Sequence, residues 1–391
     1  MSNPMTAAPA TTPADLQREI LGTVRRFVER EVLPVASRYE HADEYPQPLV
    51  DRMKELGLFG ATIAPEWGGL GLDYSTYARI VEELCRGWMS LSGVLNTHLM
   101  FAYVLDRFGT EEQKRRWLPA MARGEERAAL CLTEAHAGSD TQQIRTVARR
   151  EGDHYVVNGA KMFITNARTA TLFSLVCKTD PTVDPPHRGI SLLAAERGPG
   201  LTVSRNIAKL GYKGIETCEV LFEDFRVPVA NRIGPEGRGL QQVLSGLEVG
   251  RINIAARAVG VAQAAFEHAI RYAQERHAFG KPIAEHQAIQ LKLADMATKI
   301  EAARLLVRHA AAMKDRGERC DVEAGMAKLF ASETCQEVAL EAMRVLGGYG
   351  YTQEFPVERY YRDAPLMMIG EGTNEIQRLV IARGLLARHA I

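Results

Sequence analysis

The feature that most constrains the fold of this chain is a change in hydrophobic period, from helical to β and back to helical. Ile20, Val24 and Phe27 recur at three- and four-residue steps, as they do on one face of a helix. Near residue 127 short β-rich runs begin, and after residue 235 helical spacing returns. Many alanines line one face there, which lets helices pack closely as in a bundle. With 391 residues, the chain also exceeds the roughly 250–300 at which single cores stop growing.

We therefore predict an α+β multidomain fold, with an N-terminal all-α domain at 14–126, a small β-barrel or sandwich domain at 127–234 and a helical bundle at 235–391. Residues 1–13, rich in Pro, Ala and Thr, are predicted to form a disordered lead. The runs predicted as strands are Ala128–Leu132, His154–Val157, Lys161–Thr165, Leu172–Cys177, Ile190–Ala195 and Cys218–Phe225. The Asn158-Gly159 pair between two of these runs predicts a hairpin turn.

Charge balance and cysteine spacing exclude several classes of function. Lys plus Arg equals Asp plus Glu, 48 each, so no overall field favours nucleic acid or an anionic membrane surface. No apolar run reaches the ~20 residues of a membrane helix, and the N-terminus has no secretory signal pattern. The six cysteines are scattered without metal-ligand spacing, which predicts buried thiols, no metal site and a reducing compartment. We expect a cytoplasmic protein without membrane insertion.

Three loops hold residues suited to a nucleotide or flavin, although each is ambiguous by itself. TEAHAGSD at 133–140 offers backbone and hydroxyl donors for a flat ring or a phosphate, or is an ordinary polar turn. RHAFGKPI at 276–283 offers an arginine fork for a diphosphate, or is a helix–helix connection. GGYGY at 347–351 passes close to a phosphate or ends a helix. The chain has no Walker A loop, Rossmann Gly-x-Gly-x-x-Gly or Gly-x-Ser-x-Gly elbow.

Glu371 stands between Gly370 and Gly372, where an apolar run meets the start of a helical pattern. An isolated loop glutamate is usually exposed and inert, so a solvated residue and a base held against a ligand both stay open from these residues alone. The order of the motifs along the chain adds the information that each motif lacks.

Taken in order, the motifs resemble those of the acyl-CoA dehydrogenase family of flavoproteins, from about Asp15 to Ala387. The stretches that carry the resemblance are RFGTEEQK (107–114), LTEAHAGSD (132–140), NGAKMFITN (158–166), KLG (209–211), FEDFRVP (222–228), RHAFGKPI (276–283), GGYGY (347–351), YRD (361–363) and EGT (371–373). The resemblance implies helical, β-barrel-like and four-helix-bundle domains in a homotetramer, a dimer of dimers. It also implies FAD, extended between the β domain and the C-terminal bundle.

The resemblance further implies site residues by position. Those beside FAD are Leu130, Leu132, Thr133, Ser139, Phe163, Thr165, Arg276, Phe279, Gln287, Arg344, Gly347, Gly348, Thr373 and Glu375. Of these, Arg276, Phe279 and Gln287 are implied to contact diphosphate and adenosine across subunits. Those beside the acyl-CoA substrate are Ser139, Glu248, Arg251, Gly372 and Arg383.

Glu371 stands where the family's catalytic base usually stands. The α-hydrogen of an acyl thioester is very weakly acidic, so a base must remove it as a β-hydride leaves to flavin N5. The resemblance supplies the Glu371 N–H and a ribityl hydroxyl of FAD as donors to the developing enolate oxygen. Thr373 is expected to cap the helix that begins at Asn374.

Some positions depart from the family's usual residues. Ala135-His136 replaces a Pro-Gly, Ile215 replaces a serine, and Arg344 replaces a glutamine that faces FAD. An arginine there either pairs with diphosphate or points away. Some branched-chain members carry the base at the position of Gly250, but that position is glycine here, so the common placement at Glu371 is expected.

The resemblance thus implies FAD-dependent α,β-dehydrogenation of an acyl-CoA thioester, with electrons passed to an electron-transfer flavoprotein. One alternative is the same chemistry on a carrier-protein thioester, and another is an oxidase that hands electrons to oxygen. From a different class, the chain is a non-catalytic helical scaffold that has lost FAD.

Overall fold

The computed structural model describes residues 11–390, and its N-terminal part is helical as predicted. The helices are α1 Ala14–Phe27, α2 Ala36–His41, α3 Gln47–Glu55, α4 Tyr74–Gly87, α5 Met89–Phe108 and α6 Glu111–Ala122, with a π turn at Val28–Val32 after α1. Local caps explain two of the helix starts. The Asp73 carboxylate accepts the Thr76 N–H at 2.7 Å before α4, and Thr110 forms a capping box with Gln113 before α6.

The central part is a mixed β-sheet of seven strands within the described residues. The strands are β1 Ala128–Cys131, β2 Val147–Glu151, β3 His154–Thr165, β4 Leu172–Lys178, β5 Ile190–Glu196, β6 Leu201–Val203 and β7 Thr217–Pro228. Their order is β1-β4-β2-β3-β7-β6, with β5 also paired to β4. On β4, Phe173 and Leu175 pack in the sheet's own core, whereas Leu172 and Val176 pack against the helices. Both faces of β4 are therefore buried, which explains its unbroken apolar run.

The predicted hairpin at Asn158-Gly159 is wrong. Both residues lie inside the continuous strand β3, and the hairpin turn instead follows β2 at Gly152-Asp153. The pairing of β3 with β7 shifts register between Val157 and Gly159, as at a β-bulge. A side chain at Gly159 would place its Cβ 2.5 Å from the Thr146 hydroxyl, so the glycine marks a close backbone approach rather than a turn. Strands β2 and β6 were not predicted.

The C-terminal part returns to helices, joined at one point by a two-stranded hairpin. The elements are α7 Gly239–Glu275, β8 His277–Ala278, β9 Lys281–Pro282, α8 Gln287–Asp315, α9 Asp321–Leu346, α10 Val357–Ile369 and α11 Asn374–Arg388. Helix α7 packs against α8, α9 and α10 and also against α4 and α5 of the N-terminal part. Its alanines are buried, which allows this close approach on several sides. The predicted boundaries at 126/127 and 234/235 fall in the connections from α6 to β1 and from β7 to α7.

Three further predictions concern the ends and the composition. Of the lead predicted at 1–13, residues 1–10 lie outside the described residues; Thr12 is buried, and its N–H donates to Asp73 at 2.7 Å. All six cysteines are buried and unpaired, as predicted. Among residues 11–390, no helix combines the length and the apolar character needed to cross a bilayer.

Candidate active site

The loop between α10 and α11 holds Glu371 in an unusual backbone conformation. Glu371 has φ +56° and Gly372 has φ +85°, both in the left-handed region that side chains disfavour. Buried donors hold this loop: Lys328 Nζ donates to the carbonyls of Gly372 at 2.8 Å and Met368 at 3.1 Å, and Gln377 Nε2 donates to the Glu371 carbonyl at 3.2 Å. The surrounding structure therefore maintains a strained residue at this position, which is common at functional sites.

Thr373 caps α11, as predicted from the sequence. Its Oγ1 accepts the N–H of Ile376 at 3.3 Å. The positive end of the α11 dipole therefore lies close to the Glu371 loop. Glu375 is exposed in the first turn of α11.

The two oxygens of the Glu371 carboxylate have different surroundings. Oε1 accepts a hydrogen bond from Asn96 Nδ2 of α5 at 2.9 Å. Oε2 is buried and has no hydrogen-bond partner among the described residues. It faces the bare Cα of Gly250 on α7, because a Cβ there would lie only 2.7 Å from it. One oxygen is tethered and the other is free to take a proton.

Three cationic side chains surround this carboxylate without pairing with it. Arg251 of α7 is buried with Nε unpartnered among the described residues, Arg257 donates to Asn253 Oδ1 at 3.0 and 3.2 Å, and Lys328 is buried on α9. Burial raises the pKa of Glu371 above its ordinary value, and the three cations oppose that rise. Burial also lowers the pKa of Lys328 to about 8.

A buried ion pair supports the loop that follows β1. Lys161 Nζ donates to Glu134 Oε1 at 2.8 Å and to the Leu132 carbonyl at 3.1 Å. Glu134 also accepts the Thr146 N–H and hydroxyl at 3.0 and 2.7 Å. Lys161 is 0% exposed. Its hydrogen bond to the Leu132 carbonyl therefore fixes the backbone at Leu132 and Thr133, where the turn begins.

Residues of β1, β3 and the 133–140 turn present a surface suited to a flat ring. Phe163 has φ +62° and is 59% exposed, an unusual combination for a large aromatic side chain. Leu130, Thr133 and Thr165 are half-buried, and Ser139 is exposed. The Met162 N–H donates to the Thr133 carbonyl at 2.8 Å, which joins the turn to β3.

A second group of predicted residues lines a cleft of about 520 Å³ at the end of α7 and α9. Arg276, Gly347 and Gly348 lie in its wall, beside Tyr272 and Tyr349. An arginine and exposed glycine backbone suit the oxygens of a diphosphate. These residues, with the exposed Phe163 surface, fit FAD.

The remaining predicted residues lie elsewhere on the surface. Phe279 is 96% exposed in the β8–β9 turn, and Gln287 is exposed at the start of α8. Arg344 is exposed and pairs with Glu341 on its own helix. Glu248 of α7 pairs with Lys314 at 3.0 Å, and Arg383 is exposed on α11.

One group among residues 11–390 has the spacing of metal ligands, namely Glu40, His41 and Glu358. Arg362 already pairs with both carboxylates, at 2.9 Å to Glu40 Oε2 and 2.6 Å to Glu358 Oε2. The group is therefore a salt-bridge network that joins α2 to α10.

Four residues that contact or support this site were not singled out from the sequence: Asn96, Glu134, Lys161 and Lys328. Asn96 and Lys328 are buried polar residues within largely apolar stretches, such as Lys328 among the buried alanines of α9. Burial of an amide or a charge without partners is costly, so a polar residue on an apolar face was the available signal for these two. Glu134 and Lys161 lie in mixed polar segments that give no such signal.

The three parts of the chain each match a domain of one known protein family. Residues 14–125, 129–225 and 237–386 match the N-terminal, middle and C-terminal domains of acyl-CoA dehydrogenases. The chain is 44% identical over 365 residues to an acyl-CoA dehydrogenase of Bacillus subtilis, covering 93% of this chain and 96% of that protein. It is 42% identical over 370 residues to the mitochondrial short-chain specific acyl-CoA dehydrogenase of Homo sapiens, covering 94% and 89%.

The fold agrees as well. The butyryl-CoA dehydrogenase structure of Megasphaera elsdenii superposes with a TM-score of 0.93 at 37% identity, covering 96% of this chain and 99% of that one. The predicted α+β architecture is thereby confirmed. This chain belongs to the acyl-CoA dehydrogenase family, a family of FAD-dependent oxidoreductases.

Proposed function

We propose that this protein oxidises an acyl-CoA thioester to the trans-2-enoyl-CoA, with Glu371 as the base that removes the α-proton. FAD, when bound, supplies the acceptor for the β-hydride, and the electrons pass on to an electron-transfer flavoprotein. Family membership argues against the alternative of a flavin-free scaffold.

The observation that carries this proposal is the free oxygen of the Glu371 carboxylate. Oε2 is buried and unpartnered, so it can approach a substrate carbon without first breaking a hydrogen bond. Because burial raises the pKa of Glu371, a proton on Oε2 removes a charge that the site disfavours. A buried carboxylate is therefore a stronger base than one in water, as the weakly acidic thioester requires.

Two groups beside the carboxylate support binding of the thioester. The N–H of Glu371 has no partner among the described residues, and it is available to donate to the thioester oxygen as negative charge develops there. Arg251 follows Gly250 on α7 and keeps Nε unpartnered although it is only 8% exposed. We assign to Arg251 the orientation of the acyl-CoA near the base.

Names of the relatives favour a short acyl group, because one is a short-chain specific enzyme and another is a butyryl-CoA dehydrogenase. Turnover of straight, branched and aromatic acyl-CoAs from four carbons upward tests this. A carrier-protein thioester is the second candidate, and turnover of the same acyl group on CoA and on a holo acyl carrier protein distinguishes the two. Reoxidation of the reduced enzyme in air, followed by stopped flow, distinguishes a dehydrogenase from an oxidase.

Glu371→Gln tests the base directly, with Glu66→Gln as its control. Glu66 lies in the N-terminal part of the chain and is exposed. We expect Glu371→Gln to keep its flavin spectrum and to bind acyl-CoA, but to lose about 10²- to 10⁴-fold in turnover, because a general base typically contributes that much. We expect the control to match the wild type. Near-normal turnover by Glu371→Gln would remove the assignment.

The proposal also includes a homotetrameric assembly and a cytoplasmic location. Phe279 at 96% exposure, with Arg276 and Gln287 exposed nearby, is consistent with FAD contacts across subunits of a homotetramer. Light scattering of the purified holoenzyme tests this, and a monomer that retains FAD would contradict it. Six buried, unpaired thiols are consistent with the reducing cytoplasm.

A further inference from the structure

Asn96 is a buried polar residue of the largely apolar helix α5. Its neighbours Leu95, Leu99 and Met100 on α5 are buried, and Asn96 itself is only 4% exposed. Its amide makes one side-chain hydrogen bond, from Nδ2 to Glu371 Oε1 at 2.9 Å. Its Oδ1 is buried without a partner among the described residues. A buried amide oxygen without a hydrogen-bond partner costs free energy of folding. The presence of Asn96 at this position therefore calls for an explanation.

That single bond is also the only side-chain hydrogen bond of the Glu371 carboxylate among residues 11–390. It crosses from the N-terminal helical domain to the loop after α10, over 275 residues of sequence. Oε2 meanwhile faces Gly250, where a Cβ would lie 2.7 Å away. Asn96 thus decides which carboxylate oxygen is tethered and which is free.

We infer that Asn96 is the positioning residue of the base: its amide holds Oε1 so that Oε2 alone meets the α-hydrogen of the substrate. This inference rests on the proposed role of Glu371. A neutral amide suits the task, because it orients the carboxylate without a full counter-charge that would weaken it as a base. When Oε2 takes the proton, the bond from Nδ2 to Oε1 remains, so the carboxyl group keeps its orientation through the step.

Other charged and titratable groups face this carboxylate from every neighbouring element. They are Arg251 and Arg257 on α7, Lys328 on α9, Tyr77 on α4 and Tyr212 in the connection between β6 and β7. None of them hydrogen-bonds to the carboxylate oxygens. Lys328 Nζ holds the Glu371 loop through the carbonyls of Met368 and Gly372, so we assign the alkaline limb of the pH–rate profile to deprotonation of Lys328 and the acid limb to Glu371.

The test replaces Asn96 with leucine, which has a similar shape and no donor. Loss of a donor to the ionised form raises the pKa of a carboxyl group, so the acid limb of kcat should move up by about one pH unit while the alkaline limb stays. At the plateau, we expect kcat to fall by roughly 10- to 100-fold from misorientation, with KM for acyl-CoA within about threefold. The FAD content should be unchanged.

Ser92→Ala is the matched control on the same helix. Ser92 is buried one turn before Asn96, and its hydroxyl donates only to the Met89 carbonyl of α5, at 2.8 Å. We expect this variant to reproduce the wild-type pH profile, which separates the role of Asn96 from general disturbance of α5. The same shift of the acid limb in Ser92→Ala would overturn the inference.

Asn96→Asp is isosteric and carries the test if the leucine variant does not fold. Two carboxylates would then share one site, so the acid limb should lie at higher pH than in the wild type. An acid limb at the wild-type position in the variant that folds overturns the role of Asn96. If Glu371→Gln is inactive at the same time, the proposed function stands without this inference. An active Glu371→Gln overturns the proposed function itself.

Discussion

The buried pair of Lys161 and Glu134 allows a prediction whose size follows from the structure. Lys161→Met removes the ammonium but keeps much of the apolar volume of the side chain. Glu134, itself 4% exposed, then keeps only the hydrogen bonds from Thr146 and from the Arg145 N–H, at 2.6 to 3.0 Å. The Leu132 carbonyl loses its donor as well.

Breaking a buried pair by removing one partner typically costs about 3–5 kcal/mol, because a charge stays buried without compensation. The unfolding entropy of about 2.1 cal/mol/K per residue makes each kcal/mol worth roughly 1 °C in the melting temperature of a 391-residue chain, so we expect a decrease of about 5 °C. FAD should also be released at a lower temperature, since the pair supports Leu132 and Thr133 at the proposed flavin surface.

The pH dependence makes the prediction sharper. Burial alone would raise the pKa of Glu134, but Lys161 and the Thr146 hydrogen bonds lower it below its ordinary 4.5. That stabilisation is present above pH 4.5 and is lost as pH falls through the lowered value. In Lys161→Met the depressing charge is absent, so the carboxyl takes up a proton more readily on acidification. The loss of folding stability in Lys161→Met, relative to the wild type, should therefore be larger at pH 8 than at pH 5.

The assay follows flavin fluorescence and circular dichroism on heating, for the wild type, Lys161→Met and Glu134→Gln/Lys161→Met. The double variant removes both charges, and its amide keeps an acceptor for the Thr146 N–H, so it should recover more than half of the lost stability. If the melting temperature of Lys161→Met lies within about 1 °C of that of the wild type, against the decrease of about 5 °C expected, the reasoning is refuted.

Three further predictions concern the proposed base and its surroundings. Gly250→Ala would place a methyl group 2.7 Å from Glu371 Oε2 and 2.9 Å from Met100 Sδ, so kcat should fall by about 10²-fold with FAD retained; an unchanged kcat would argue against this placement of Oε2. Because burial raises the pKa of Glu371, its burial costs stability once pH exceeds the ordinary 4.5. Glu371→Gln should therefore melt above the wild type by a margin that grows from pH 5 to pH 8, and a constant margin would count against the buried carboxylate. Burial also raises the pKa of Asp363 from 3.8 to about 6, so the stability it contributes is lost as pH rises through 6. Asp363→Asn keeps an acceptor for the Tyr212 N–H. Its free energy of unfolding, measured by denaturant titration, should rise relative to that of the wild type by up to ~3 kcal/mol between pH 4 and pH 8. The same pH dependence of the unfolding free energy in both proteins would contradict this prediction.

The broad order of the fold was predictable because hydrophobic period is a local property. The stripe of Ile20, Val24 and Phe27 and the apolar run of β4 each report which faces of one element are buried. Asn158-Gly159 misled the prediction because its turn preference is also local, whereas the close approach that requires Gly159 comes from Thr146, just before β2. Tertiary packing decided between a turn and a bulge.

The sequence by itself determined the order of the domains, the family and the presence of a carboxylate between two glycines. Only the tertiary structure showed that Asn96 hydrogen-bonds to one oxygen of Glu371 and that Gly250 lies next to the other. It also showed that Lys328 hydrogen-bonds to the backbone of the Glu371 loop. These partners lie far apart in the chain, and no local pattern encodes which buried polar groups will meet. The base strength of Glu371 depends on that meeting, because burial and the charges that surround it set the cost of its ionised form.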